Sequence, residues 1–438
     1  MTKMLSGSAN SVLSALGRSL ILASAVGLGL ATASAVSAQE IRVWSGYPEL
    51  APFYEHVAAG MAAEYPDLKV TVEAIALREH EKRVALGITS GEAAEVIELA
   101  TTIAARYLEN DLLNTPPADV SAFVKDPANF GEFFINSASY NGNVYGMPLF
   151  RGQSALYYNT DMFAAAGLTE PPKTMADFDA YAEKLTQRDA NGAPTVTGWS
   201  LRLSGGGSGI AEKFAINMWQ HGGELITPAG EGKWKSNFAS DAGFATMKQY
   251  LHNLFNTKTV TVESPADADA FERGQTAMFI RESWVIGDIA AKAPDLKYAT
   301  APLPRGSIVS PGQLYVKADA DKEAAAWAFV METQKPENLL WLLDNVGWLP
   351  NRSGLDFSTI LAAKPGFEAY VNYPTSYEFF TVPAIGPIDE IQTRAAAFLV
   401  EAFAKPELAS DDAALKAALE NADKEINSIL EREDLLGQ

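Results

Sequence analysis

For covalent or metal chemistry this 438-residue chain offers four histidines, 54 carboxylates and no cysteine. His56, His80, His221 and His252 fall in no H-E-x-x-H or other spaced ligand set, and there are no thiolates to complete one. His56 and His80 fall on predicted helix surfaces, and His221 precedes Gly222-Gly223 at a predicted helix end. "SGGGSG" at 204–209 has the glycine density of a phosphate loop or a nucleophile elbow. It is neither, because Ile210 stands where both patterns need their last glycine, and no G-K-[ST] follows. A glycosidase pair is defined by spatial separation, and no local spacing selects two carboxylates here. The residue types therefore favour recognition over catalysis. A guanidinium forks two hydrogen bonds to vicinal hydroxyls or to an anionic group. Arg151 is a candidate for such contacts, set within "GNVYGMPLFRGQSALYYNT", 142–160, where aromatics flank it on both sides.

Strand and helix patterns alternate from residue 40 onward. Ile41 to Trp44 reads as a strand, and Leu50, Phe53, Tyr54, Val57, Met61 and Tyr65 recur at helical spacing until Pro66. "KVTVEAI" (69–75) and "EVIEL" (95–99) are further strands, separated by the helix "REHEKRVALGITSG" and followed by a helix over 103–109. This is the rhythm of a mainly parallel sheet covered by helices. Thr174 with Asp177 forms a capping-box variant, and Ser264-Pro265 before Asp267 starts another helix, which Gly274 ends. "TAMFI" (276–280) and residues 297–302 are strands, "PLPRGSIVSPG" and "GWLPNRSG" are connections, and 411–432 is an amphipathic helix. No internal repeat is present.

The length predicts two domains. Before them, Lys3 and Arg18 flank an apolar stretch that ends in "VSA" at 36–38, the pattern of a secretory signal cut after Ala38. Its apolar core is short for a membrane span. The mature chain then carries 32 Lys and Arg against 54 Asp and Glu, a net −22. Such a chain repels nucleic acid and anionic lipid. Without cysteine it has neither disulfides nor an N-terminal lipid anchor, which suits an enclosed periplasm.

Three stretches in order carry a resemblance. "YNGNVYGMPLFRGQSALYYNTDMFAAAGLTEPPKTMADF" is similar to the G-x-x-Y-G-x-P strand, the Y-N-x-D-x-F turn and the P-P-K-T-W start of the family 1 extracellular solute-binding proteins of ABC importers. Met175 replaces the usual Trp. "FERGQTAMFIRESWVIGDI" (271–289) resembles that family's F-x-x-G-x-x-A-M with a following Trp, and "GWLPNRSG" (347–354) its G-x-L-P-x-R loop. The resemblance spans 39–438. It implies an α/β, two-lobed type II periplasmic-binding-protein fold, each lobe a mainly parallel sheet flanked by helices, with a ligand cleft between. Lobe 1 would be 39–151 plus 305–352 and lobe 2 would be 152–304 plus 353–438. The crossings would fall near Arg151–Ser154, in 302–307 and just after Arg352.

The resemblance also implies a periplasmic receptor, a monomer without metal or cofactor, that delivers a carbohydrate to a membrane permease and is not an enzyme. Trp284 stands where the family stacks an aromatic on a sugar ring. Ser45 and Tyr47 follow the first strand at its carboxyl end, where open α/β sheets bind ligands. Thr101 and Thr102 follow "EVIEL" in a loop where the family often has an aromatic and an acid, and Glu98 is the nearest acid. Arg151 and Gln153 at the first crossing, Arg352 in the third motif, Gly205 to Gly209 with Glu212, and Ser310 with Gly312 complete the expected ligand set. Arg281 reads as a solvated or paired arginine. Ile385 replaces a further family aromatic, so a mono- or disaccharide or a polyol fits better than a long glycan. Two rival readings stay open: a receptor for an anionic sugar derivative or glycerol phosphoester, and an extracellular carbohydrate-active enzyme.

Overall fold

The computed structural model describes residues 39–204, 208–264 and 267–438. The expected signal segment, Gly205 to Gly207 and Pro265 lie outside the described residues.

Nine strands form the main sheet among the described residues. They are β1 (Gln39–Ser45), β2 (Leu68–Ala74), β3 (Val96–Ala100), β4 (Met147–Asn159), β5 (Met278–Glu282), β6 (Tyr298–Ala301), β7 (Gly306–Val316), β8 (Leu349–Pro350) and β9 (Glu378–Phe380). The helices that matter below are α1 (Ala51–Met61), α2 (Leu77–Ser90), α3 (Thr101–Leu108), α4 (Glu132–Ser137), α5 (Met175–Leu185), α6 (Gly209–Gln220), α7 (Val285–Lys292), α8 (Ile388–Ala402) and α9 (Asp412–Arg432).

The alternation in the sequence sets β1. Ile41 and Val43 are fully buried, and β1 pairs in parallel with β2 and β3. The apolar stripe of α1 (Phe53, Tyr54, Val57 and Met61) packs into the same core, each fully buried large side chain stabilising by roughly 1.5–3 kcal/mol. Thr174 caps α5 with the expected reciprocal bonds to Asp177, and Met175 is buried. In α9, Asp411 is the cap, and Leu415, Leu419, Ala422 and Ile426 form the buried face.

Residues 147–159 are one continuous strand serving two cores. Leu149 and Phe150 belong to the core of α1 and β1, whereas Leu156 belongs to the core of α5, α6 and α9. The parallel pattern does not extend to this strand. β4 pairs antiparallel with β5, β6, β7 and β8, because it carries the chain out of one core and β7 carries it back. Arg151 to Gln153 lie beside Val309 to Pro311 of β7, and Leu349 of β8 pairs with Arg151.

Gly312 has its own reason in this packing. A Cβ there would lie 2.3 Å from the Phe150 ring. Gly312→Val is expected to destabilise by at least about 1–3 kcal/mol, the ordinary cost of overpacking. Urea unfolding reads it as a lower midpoint.

Candidate functional site

A cavity of about 470 Å³ opens where strand ends and helix starts converge. One wall comes from the carboxyl end of β1 (Tyr47 and Glu49), the first turn of α2 (Arg78 and Glu81) and the first turn of α3 (Thr102). The facing wall comes from the start of α6 (Gly209 and Glu212), the end of β5 (Arg281 and Glu282), Trp284, and the start of α8 (Asp389 and Gln392). Gly152, Ser154, Ser310 and Trp348 also line it. The volume lies within the roughly 300–1,000 Å³ of small-molecule sites.

The helix starts share a feature. None of α2, α3, α6, α7 and α8 has a side-chain cap, whereas α5 and α9, which do not line the cavity, are capped by Thr174 and Asp411. Uncapped first turns leave backbone N–H groups and positive dipole ends toward the cavity. Its carboxylates offset that charge. Arg78 ties the two walls: it donates to Glu81 at 2.8 Å and Ser208 at 3.0 Å, and it lies 3.6 Å from Asp389.

Glu282 organises the facing wall. Its carboxylate accepts from buried Lys213 Nζ at 2.9 Å and from Trp284 Nε1 at 3.3 Å, and it lies 3.4 Å from Arg281 Nε. Burial opposes its charge, but Lys213 and Arg281 outweigh burial and hold the carboxyl well below the usual range. Trp284 is thereby fixed at its indole N–H, with the Arg281 guanidinium 5.3 Å from the ring centroid. The strand end is anchored from behind. Tyr157 donates to the Glu282 carbonyl at 3.0 Å, Tyr370 to the Arg281 carbonyl at 2.8 Å, and Ser283 to the Gly347 carbonyl at 2.6 Å. On the other wall, Tyr47 packs on Phe150 and Trp348, with centroids 5.6 and 5.2 Å away.

Six of the expected residues line this cavity: Tyr47, Thr102, Gly209, Glu212, Trp284 and Ser310. Ser45 lies fully buried beneath them; its hydroxyl donates to Glu98 at 2.6 Å and accepts the Tyr47 N–H at 3.1 Å. Thr101 faces a neighbouring cavity. Arg151 and Gln153 are not on the wall. Arg151 Nε donates to Gln153 Oε1 at 2.9 Å and Nη1 to the Pro350 carbonyl at 2.6 Å, so the pair braces β4 against β8. Gly312 is covered by Phe150. Arg352 lines a separate groove, where it donates to the Gln334 carbonyl and packs over Phe123. Arg281 lines the cavity as a paired arginine. Ile385 is buried, and Val382 lines the cavity instead.

His80 is not on a helix surface. It is 1 % exposed, with Nε2 2.7 Å from the Glu98 carbonyl, because this face of α2 packs on the sheet. His56 stacks on Trp341 and His221 lies 2.9 Å from Gln249 Oε1. Sequence reasoning missed Glu282, Lys213, Arg78, Asp389 and Trp348. Only Glu282 had a usable signal, an acid at a strand end between two residues already singled out.

Residues 57–369 match the model of the family described as bacterial extracellular solute-binding protein. A Brucella abortus relative named for a binding role is 22% identical over 400 residues, which cover 89% of this chain and 95% of the relative. The sugar-binding protein MalE of Xanthomonas citri superposes with a TM-score of 0.74 at 17% identity, covering 90% of this chain and 98% of that chain. The substrate-binding protein Lmo0181 of Listeria monocytogenes, solved in complex with cycloalternan, gives 0.71 at 21% identity, covering 90% and 99%. These two-lobed relatives share the fold, and the family implies a periplasmic or extracellular location. By the match over most of its length, the chain belongs to the bacterial extracellular solute-binding protein family.

Proposed function

We propose that the protein captures an uncharged saccharide in the Trp284 cavity and delivers it to the membrane permease of an ABC importer. The observation that carries this is Trp284 itself. Its ring is held rigid by Glu282 and Arg281 on the wall of a cavity that also carries charged and hydroxyl groups. A sugar offers C–H faces to such a ring and hydroxyls to such groups. The sugar-binding character of the MalE relative supports the choice of ligand. The charge balance favours a neutral ligand over an anionic one. Glu49, Glu81, Glu212, Glu282 and Asp389 outnumber Arg78, Arg202 and Arg281 on the wall, and Arg78 and Arg281 are already paired with acids. Nothing in the site favours turnover, since Glu282 is locked ionised by Lys213.

The same reading sets the rest. The chain works as a periplasmic monomer cut after Ala38, with no cofactor and no nucleic-acid partner. Its lobes are 39–151 with 305–352 and 152–304 with 353–438, meeting where β4, β7 and β8 run side by side. Separate hydrophobic clusters on the two sides of Arg151 support that division. Calorimetry of the mature protein against a saccharide panel should give saturable binding and unchanged sugar. Trp284→Ala should weaken that binding roughly 30- to 100-fold, the equivalent of removing about 2–3 kcal/mol of stacked apolar surface. Hydrolysis products, or a Trp284→Ala variant with undiminished affinity, would defeat the proposal.

A further inference from the structure

The sequence contains two Asn-Gly pairs, Asn141-Gly142 and Asn191-Gly192, and both asparagines are exposed. An asparagine before a glycine carries its own reaction. The backbone nitrogen of the glycine attacks the side-chain carbonyl carbon, and no Cβ hinders the approach. The new N–C bond closes a succinimide ring, and the carboxamide nitrogen leaves as ammonia. Water then adds to either imide carbonyl and opens the ring to aspartate or isoaspartate. Each product gains one negative charge, and isoaspartate routes the main chain through an extra methylene.

The dipeptide alone does not separate the two sites, and neither does space, since a Cβ at Gly142 or Gly192 would meet nothing within 4 Å. Hydrogen bonding separates them. The turn at Asn191 is pinned. Its nucleophile, the Gly192 N–H, donates to the Asp189 carbonyl at 3.0 Å, and the Asp189 N–H donates to the Ala193 carbonyl at 2.9 Å. The Asp189 carboxylate accepts from the Asn191 and Ala193 N–H groups, each at 2.9 Å, and Arg188 donates to the Gly192 carbonyl at 3.2 Å. The turn at Asn141 has none of this. It joins Ser139–Tyr140 to Asn143–Val144, a hairpin of two residue pairs that belongs to no larger sheet. Asn141 and Gly142 lie at φ 47° and 78°, the left-handed conformation that makes Asn-Gly a favoured hairpin tip. Among the described residues, neither the Gly142 N–H nor the Asn141 side chain has a hydrogen-bond partner. An isolated two-stranded hairpin is marginally stable at best, so this tip opens at little cost.

We infer that Asn141 is a modification site, converting without an enzyme to aspartate and isoaspartate through the Gly142 succinimide, while Asn191 is protected by the Asp189 turn. The inference stands apart from the identity of the ligand.

The position gives the modification a structural consequence. The hairpin joins α4 to β4, and both of its ends are anchored. Ser139 Oγ donates to the Ile135 carbonyl at 2.8 Å, and the Tyr145 and Gly146 N–H groups donate to the Ala138 carbonyl at 3.0 and 3.1 Å. An extra methylene at position 141 lengthens the tip between these fixed ends, against the register that pairs Tyr140 with Asn143. Each hydrogen bond that must break before the ring can close slows the reaction. Asn141 should therefore convert at least about tenfold faster than Asn191.

The test is to age the purified folded protein in warm, mildly alkaline buffer and to follow each asparagine by peptide mass spectrometry. Isoaspartate is read separately by labelling with an isoaspartyl methyltransferase and its methyl donor. The peptide holding Asn141 should lose ammonia, then gain a carboxylate and accept the methyl label, while the peptide holding Asn191 lags at least about tenfold. Asn141→Gln keeps a carboxamide but lengthens the ring that must close, and it should remove the signal at that position. Asp189→Ala takes away two of the bonds that pin the other turn, and it should speed conversion at Asn191 in the folded protein. Equal rates at the two sites, or an Asn141 that stays intact while a free peptide of residues 138–146 converts, would overturn the inference. An Asp189→Ala variant with Asn191 as slow as before would overturn the protective role of that turn.

Discussion

Glu282→Gln lowers the unfolding free energy by about 3–5 kcal/mol, because it leaves Lys213 as a buried cation without its partner. Among the described residues Lys213 Nζ has Glu282 as its ion-pair and hydrogen-bond acceptor, at 2.9 Å, and its side chain is 4% exposed. The carboxamide still accepts from Trp284 Nε1, so the loss is electrostatic rather than steric. Adding Lys213→Met to Glu282→Gln removes the stranded charge and should recover most of the loss. Urea unfolding checks both as midpoint shifts at constant slope. A single variant within about 1 kcal/mol of wild type, or a double variant no better than the single, would refute the argument. The pH dependence has the same origin. The folded Glu282 carboxyl sits below its unfolded value, so its stabilisation is complete above the ordinary carboxylate range and drains away as the pH falls below it.

The contrast between Trp284 and Lys213 shows what a sequence can disclose. Trp284 was legible through the resemblance, which places a stacking aromatic after the A-M strand, and Tyr47 and Thr102 because each follows a strand at its carboxyl end, where the topology of an open sheet leaves a crevice. Gly209 and Glu212 were singled out by their position at a glycine-dense loop, which lets a ligand approach the backbone, and they line the cavity. Lys213 was not, although it adjoins Glu212. Its partner lies 69 residues away, and only the packing of α6 against β5 decides that this lysine turns inward. Arg151 misled for a related reason. Aromatics on both sides and a crossing position suggest a ligand group, but Pro350 of β8 offers it a carbonyl at 2.6 Å and Phe134 a ring face. A guanidinium satisfied by Gln153 and β8 has little left for a ligand. The mixed sheet follows the same logic. Strand patterns were visible, but the direction of β4 against β7 depends on which core each end enters.

Glu98→Gln should act in the opposite sense to Glu282→Gln, stabilising the protein above neutrality. Glu98 is 1% exposed in the middle of β3, and burial pushes its carboxyl up to about 8 against the Ser45 and Gly46 hydrogen bonds that favour its charge. The Glu49 charge adds to the upward push. No cation offsets it: His80, on the other side of the strand, is itself driven toward neutrality by burial. The folded value lies above the unfolded one, so the folded state holds an extra proton between the two. Stability therefore falls as the pH rises from about 4.5 to about 8 and levels off beyond. Over the whole interval the loss is on the order of 5 kcal/mol, at about 1.4 kcal/mol per pH unit of displacement. Glutamine keeps an acceptor for Ser45 and has no charge to bury. The variant should match wild type near pH 5, exceed it by a few kcal/mol at pH 8.5, and show a flatter profile between. Urea titrations at the two pH values decide it, and parallel profiles would remove Glu98 from the account. The consequence reaches the cavity. Ser45 Oγ binds both Glu98 and the Tyr47 N–H, so the buried carboxyl is tied to the turn that carries Tyr47 against Trp348.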